Sequence, residues 1–81
     1  MKVRAQFFAQ LRDLAGASNL ELDLNDGATA ADLLAKIYEA FPALRSNDKN
    51  ILLGSGVEFV NRDHRLRDGE EIAIMPPVQG G

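Results

Sequence analysis

Thr29-Ala30-Ala31-Asp32-Leu33-Leu34-Ala35-Lys36-Ile37-Tyr38-Glu39-Ala40-Phe41-Pro42 is the stretch whose reading decides the fold. Leu33, Leu34, Ile37, Tyr38 and Phe41 recur at helical spacing and make one apolar stripe. Thr29 suits the N-cap, with Asp32 three residues on in a capping-box position near the positive end of the helix. Pro42 stops the helix near Phe41, because the residue before a proline is driven out of the α region. The spacing is that of core packing rather than of a ligand box. A helix with one apolar stripe needs an apolar surface to lie on, and the flanking chain must supply it.

On the N-terminal side, Lys2 to Phe7 alternates polar and apolar, the period of a strand. Val3, Ala5 and Phe7 point to the core. Phe8 has the parity of Lys2, Arg4 and Gln6 and falls on the outer side. Ala9 to Ala15 reads as one or two helical turns with Leu11 and Leu14 inward and Gly16 in the C-terminal capping position. Asn19 to Leu24 alternates again, and Asn25-Asp26-Gly27 is a turn.

On the C-terminal side, Ala43 to Asn50 is mostly polar and reads as a loop. Ile51-Leu52-Leu53 is a short buried strand, Gly54-Ser55-Gly56 turns the chain, and Val57 to Val60 returns it. Asn61 to Asp63 is a further turn. Asp68-Gly69 marks the turn before the last strand, Glu71 to Met75, with Ile72 and Ile74 inward and Met75 on the other face, like Phe8. The order is strand, strand, helix, short strands. That is an α+β domain, one mixed sheet of about four to five strands with a helix across one face.

Composition narrows the functional classes. Eighty-one residues, 46% hydrophobic and 26% charged, make one small globular domain. A net charge of −3 points away from nucleic acid. No apolar run approaches the ~20 residues of a membrane span, and the first residues do not read as a signal peptide, so a cytoplasmic protein is expected. The absence of cysteine removes disulfides, thiolate catalysis and Cys-based metal sites, and no metal site is expected.

The sequence closes with Met75-Pro76-Pro77-Val78-Gln79-Gly80-Gly81. Residues 1–75 read as the domain and 76–81 as a tail. Two prolines favour an extended path and forbid a continuing central strand. Six residues reach about 20 Å from the body at full extension. Gly80 and Gly81 have no Cβ and fit where another backbone approaches closely. A stiff base with a slim tip suits insertion into a narrow channel of another protein.

Three stretches carry a family resemblance: Phe7-Phe8-Ala9-Gln10-Leu11-Arg12-Asp13-Leu14-Ala15-Gly16, Leu66-Arg67-Asp68-Gly69-Glu70-Glu71-Ile72-Ala73, and Pro76-Pro77-Val78-Gln79-Gly80-Gly81. Together they resemble the small, sulfur-carrier subunit of molybdopterin synthase, a ubiquitin-like β-grasp family, over essentially the whole chain. Gly54-Ser55-Gly56 departs from the Val-Asn pair that family members often carry there, and leaves the hairpin register open.

The resemblance implies the β-grasp topology, with the first and last strands parallel at the sheet centre. It implies that an ATP-dependent activating enzyme adenylates the carboxylate of Gly81, and that a sulfur donor converts the adenylate to a thiocarboxylate. The large synthase subunit, in a heterotetramer of two small and two large subunits, would then use that sulfur to build the dithiolene of molybdopterin from a cyclic pterin phosphate. No cofactor would stay bound to the small subunit. It also places Phe59 with Phe8 and Met75 in a partner interface, where large apolar side chains stand among polar ones. The elementary chemistry agrees. A free α-carboxylate, with pKa near 3.3–3.7, is ionised and a poor electrophile until a nucleotide supplies a leaving group. Without cysteine the chain holds no persulfide, so if it carries sulfur, as the resemblance implies, its C-terminus is the available place.

Three alternatives stay open. One is a carrier for another acceptor, such as the thiazole of thiamine or a tRNA base, against which Pro76-Pro77-Val78 speaks. The second is a ubiquitin-like modifier joined to protein lysines through the same tail. The third is a free-standing enzyme. His64, the single histidine, lies in Asp63-His64-Arg65 and reads as a solvated turn residue sooner than as a general base. Arg62, Arg65 and Arg67, interspersed with Asp63 and Asp68, read as a mixed solvated surface sooner than as a site for a phosphate or an acidic partner.

Overall fold

A computed structural model describes residues 1–77. Its elements are β1 (Lys2–Phe7), α1 (Gln10–Ala15), β2 (Asn19–Asp23), α2 (Ala30–Ala40), a run of 3-10 turns over Pro42–Asn50, β3 (Leu52–Ser55), β4 (Glu58–Val60) and β5 (Glu71–Met75). The strands form one mixed sheet in the order β2-β1-β5-β3-β4. β1 and β5 are parallel and central, with Ala5 facing Ile72 and Phe7 facing Ile74. The other pairs are antiparallel. The β-grasp arrangement implied by the resemblance is the one present.

The central pair supplies the inward sheet residues most fully removed from water. Val3, Ala5, Phe7, Ile72 and Ile74 are all at most 2% exposed beneath α2. α2 answers with Ala30, Leu33, Leu34, Ile37 and Tyr38. Phe41 ends the stripe half-buried, its ring edge-on to Phe7 with centroids 5.7 Å apart. Each Val, Leu, Ile or Phe side chain among them contributes about 1.5–3 kcal/mol when removed from water. The helix starts at the expected capping box: Thr29 N donates to Asp32 Oδ2 at 2.9 Å, and the Thr29 side chain accepts from the Asp32 backbone.

Three expectations are corrected. Leu14 is 46% exposed, not inward. α1 has six residues and one buried position, Leu11; Leu14 lies roughly 60° round the helix from it and clears the core. The polar stretch after Pro42 is not a loop but 3-10 turns with one buried side chain, Leu44, at 0% exposure. A single apolar residue among polar ones gives no period to read.

The third concerns the hairpin. β3 runs through Gly54 to Ser55, and the turn is Gly56-Val57, with Gly56 at φ 62 in the first loop position. The register is settled as Leu53 opposite Val60, Gly54 opposite Phe59 and Ser55 opposite Glu58. Gly54 is therefore a strand residue, and Met75 covers it: a Cβ there would lie 3.0 Å from Met75 Cε. That atom is the end of a flexible side chain, so Gly54→Ala should shift stability by no more than about 0.5 kcal/mol in chemical denaturation, with Met75 swinging aside. A loss of several kcal/mol would mean that the β3 backbone cannot accept any side chain at this point.

Candidate functional site

The face of the sheet away from α2 divides into two halves. Over β1 and β2 it is charged: Arg4 lies between Glu21 and Glu71 at 3.7 and 3.8 Å, and Lys2 lies 4.0 Å from Glu21. Over β5, β3 and β4 it is apolar. Strand pairing puts Ala73, Gly54 and Phe59 in one row and Met75 and Leu52 in the next. Phe8 continues the parity of Gln6, which faces Ala73, and its N–H donates to Ile74 O at 3.1 Å. Phe8 is 40% and Phe59 70% exposed, while Met75 is half-buried against the sheet. The three residues singled out from sequence thus share one sheet face.

Pro76 and Pro77 follow directly from β5, half-buried and exposed respectively, beside Gln10, Leu11, Asn47, Asn50 and Ile51. Val78, Gln79, Gly80 and Gly81, the rest of the expected insertion segment with its reactive carboxylate, lie outside the described residues.

The segment Asn61 to Arg67 is not a free loop. Ala30 N donates to His64 O, Ala31 N to Arg62 O and Leu66 N to Ala28 O, so the segment is clamped across the start of α2. Arg62 keeps 40% of its side chain exposed but is held in place, unlike a freely solvated residue. Its guanidinium donates to Asp48 Oδ1 at 2.8 Å and also to the Asp48 backbone carbonyl, while the Tyr38 hydroxyl donates to the same carboxylate. This joins α2, the 3-10 turns and the chain after β4. Sequence carried no sign of it, because partners 10 and 14 residues apart on three different elements make no motif. Arg65 and Arg67 remain exposed.

His64 is likewise corrected. It is not a solvated turn residue: its Nε2 lies 2.7 Å from Glu70 Oε2, with the two side chains 28% and 13% exposed. Ser55 Oγ donates to the same oxygen at 2.6 Å, and Arg67 N donates to Oε1 at 2.8 Å. The carboxylate stands between the hydroxyl and the imidazole. The group beside the Ser55 hydroxyl is a carboxylate held below its ordinary pKa, too weak a base to activate it as a nucleophile, so the cluster braces the Asp68-Gly69 turn instead. No group of three or more metal-ligating side chains occurs among the described residues, and none of their helices is long and apolar enough to cross a membrane.

These contacts set an acid limit. Hydrogen bonds from Tyr38 and then Arg62 hold the Asp48 carboxyl below its ordinary 3.8. Burial pushes the Glu70 carboxyl up, but hydrogen bonds from Ser55, His64 and the Arg67 backbone together outweigh it and hold it below 4.5. A depressed carboxyl contributes stability above its unfolded value and loses it as pH falls through the folded one. Stability should therefore fall below about pH 4.5, and Asp48→Asn should flatten that slope in denaturation series run at successive pH values. Parallel slopes for wild type and variant would remove Asp48 from the account. The opposite limit is Tyr38, which burial, aided by Asp48, pushes up to about 12.

Comparison with known proteins agrees with the geometry. The pattern of the ThiS family matches residues 5–81. The molybdopterin synthase sulfur carrier subunit of Chlamydomonas reinhardtii is 40% identical over 83 residues, covering 100% of both chains. The crystal structure of SAMP1 from Haloferax volcanii matches with a TM-score of 0.88 at 29% identity, again over 100% of both chains. A chain of the complex of subunits 1 and 2 of molybdopterin-converting factor from Helicobacter pylori 26695 matches with a TM-score of 0.72 at 26% identity, over 100% of both. With five strands in the β-grasp order and a family match from β1 through Gly81, this chain belongs to the ThiS family, whose ubiquitin-like fold it has.

Proposed function

We propose that the protein is the sulfur-carrier subunit of a molybdopterin synthase. The observation that carries this is the end-to-end likeness to a sulfur carrier subunit, at 40% identity with no part of either chain left over. The match in the subunit 1 and 2 complex supports a large synthase subunit as partner. In this reading residues 1–75 are the docking body and 76–81 the tail. Phe8, Phe59 and Met75 seat against the large subunit, in a heterotetramer of two small and two large chains, and Pro76, Pro77, Val78, Gln79 and Gly80 carry Gly81 into its active site.

The chemistry lies at the Gly81 carboxylate. A carboxylate oxygen attacks the α-phosphorus of ATP on an activating enzyme, releasing pyrophosphate and leaving an acyl-adenylate. Sulfur released by a donor at the sulfide level attacks the acyl carbon, the bond to AMP breaks, and AMP departs to leave a thiocarboxylate. This nucleophile then gives its sulfur to the pterin precursor in the large subunit. The chain itself binds no lasting cofactor and works in the cytoplasm as a sulfurtransferase component rather than as an enzyme alone.

The test is the intact mass of the chain after incubation with ATP, a molybdopterin-type activating enzyme and a sulfur source. A gain equal to the difference between one sulfur and one oxygen is expected, together with molybdopterin formation once the large subunit and the cyclic pterin are added. The likeness to SAMP1, a small archaeal modifier protein, favours a second reading as a protein modifier. Isopeptide bonds from Gly81 to lysines of many proteins, with no molybdopterin formed, would decide for that reading.

A further inference from the structure

Ala9 is the one non-glycine residue with positive φ among the described residues, at φ 53 and ψ −134. That pair lies outside the left-handed helical basin, in a region that glycine usually occupies because a Cβ crowds the adjoining peptide. Contacts on both sides hold the residue there. Before it, the bond from Phe8 N to Ile74 O extends the pairing of β1 with β5. After it, Leu11 N donates to Phe8 O and Arg12 N to Ala9 O, each at 3.1 Å, closing the first turn of α1. Leu11, 1% exposed, anchors that turn in the core. The reversal from strand to helix is thus forced through a single residue, with no side-chain cap to assist it.

What the reversal leaves at the surface is Phe8, at the end of the apolar half of the sheet. Strain of this kind persists where the surroundings over-determine a geometry, and it gathers at ligand clamps and binding sites. Glycine would accept the same angles without strain, but it moves freely between both signs of φ. Alanine has only a narrow foothold at positive φ. We infer that Ala9 is a strained elbow that fixes the direction of Phe8, and so acts as a positioning residue for docking. That the docked protein is the large synthase subunit rests on the sulfur-carrier reading.

Two variants test the elbow. In a chemically synthesised chain with D-alanine at position 9, the mirror-image preference makes these angles ordinary extended backbone. Its melting temperature should rise by about 5 °C or more, with affinity for the large subunit kept. Ala9→Gly should fold with a melting temperature no lower than wild type. Its amide order parameters at Phe8 and Gln10, measured on the isolated chain, should fall from about 0.85 toward 0.6. Its affinity for the large subunit should weaken about three- to tenfold, the cost of ordering a freed side chain. Unchanged order parameters in Ala9→Gly, wild-type affinity in Ala9→Gly, or no thermal gain with D-alanine each overturn the elbow. If wild type itself does not bind the large subunit, the sulfur-carrier reading fails, and the elbow stands or falls by the order parameters and melting temperatures.

Discussion

Deletion of Gly81 is expected to abolish sulfur loading while leaving the domain folded. The deletion retracts the reactive carbon by about 3.5 Å, whereas a misplacement of ~1 Å already costs about a hundredfold in rate. In the proposed cycle the acyl carbon has to meet both ATP in the activating enzyme and the pterin in the large subunit, so no compensating shift would serve both. Addition of a residue after Gly81 should fail for the opposite reason, and a side chain at position 80 should jam a channel sized for backbone. The fold should not notice, because Ile74, the last fully buried of the described residues, precedes the tail. Intact-mass measurement with ATP, activating enzyme and sulfur donor reads the result directly. Wild type should gain the sulfur-for-oxygen difference, and the shortened chain nothing. A shortened chain that is still thiolated and still supports molybdopterin formation would falsify the proposed function.

Phe59→Glu and Phe8→Glu are expected to break the complex with the large subunit without unfolding the chain. Large aromatic side chains at the centre of an interface carry about 2 kcal/mol or more each, so the dissociation constant should rise at least about thirtyfold for either variant. Phe59 is 70% exposed, and an exposed substitution costs folding no more than about 0.5 kcal/mol. Phe8, at 40% exposure, gives up some packing against the sheet end but no core contact of the α2 side. Val57 is the control, fully exposed at the tip of the hairpin and off the apolar rows, so Val57→Glu should bind as wild type. Titration calorimetry measures the affinities and circular dichroism the fold. Loss of helical and sheet signal in Phe8→Glu would assign that ring to the core instead, and equal losses for all three variants would point to general charge repulsion rather than to a seated face.

The elements legible in the sequence were those whose signal is local and repeated. β1 and β5 came from alternation over five or six residues, and α2 from its stripe and its capping box; their observed bounds are Lys2–Phe7, Glu71–Met75 and Ala30–Ala40. The outward parity of Phe8 and Met75 came from the same alternation, since side chains of period two admit only two faces. Family resemblance rested on short motifs and on the Gly-Gly close, which need no structure to read.

What sequence misread was set by single residues or by pairs far apart. Leu14 reads as core from sequence because six residues of α1 are too few to show which side faces inward. Leu44, one apolar residue in a polar run, marked an ordered turn that no period announces. The Gly-Ser-Gly stretch spread the turn signal over three residues, and only pairing with β4 moved it to Gly56-Val57. Composition and periodicity determined the α+β class and the faces of the long elements, and the family resemblance pointed to the candidate reactive group. Tertiary structure alone decided the partners of Asp48 and Glu70 and the strained angle at Ala9, because each depends on which distant segments meet, and a chain records that meeting only once it has folded.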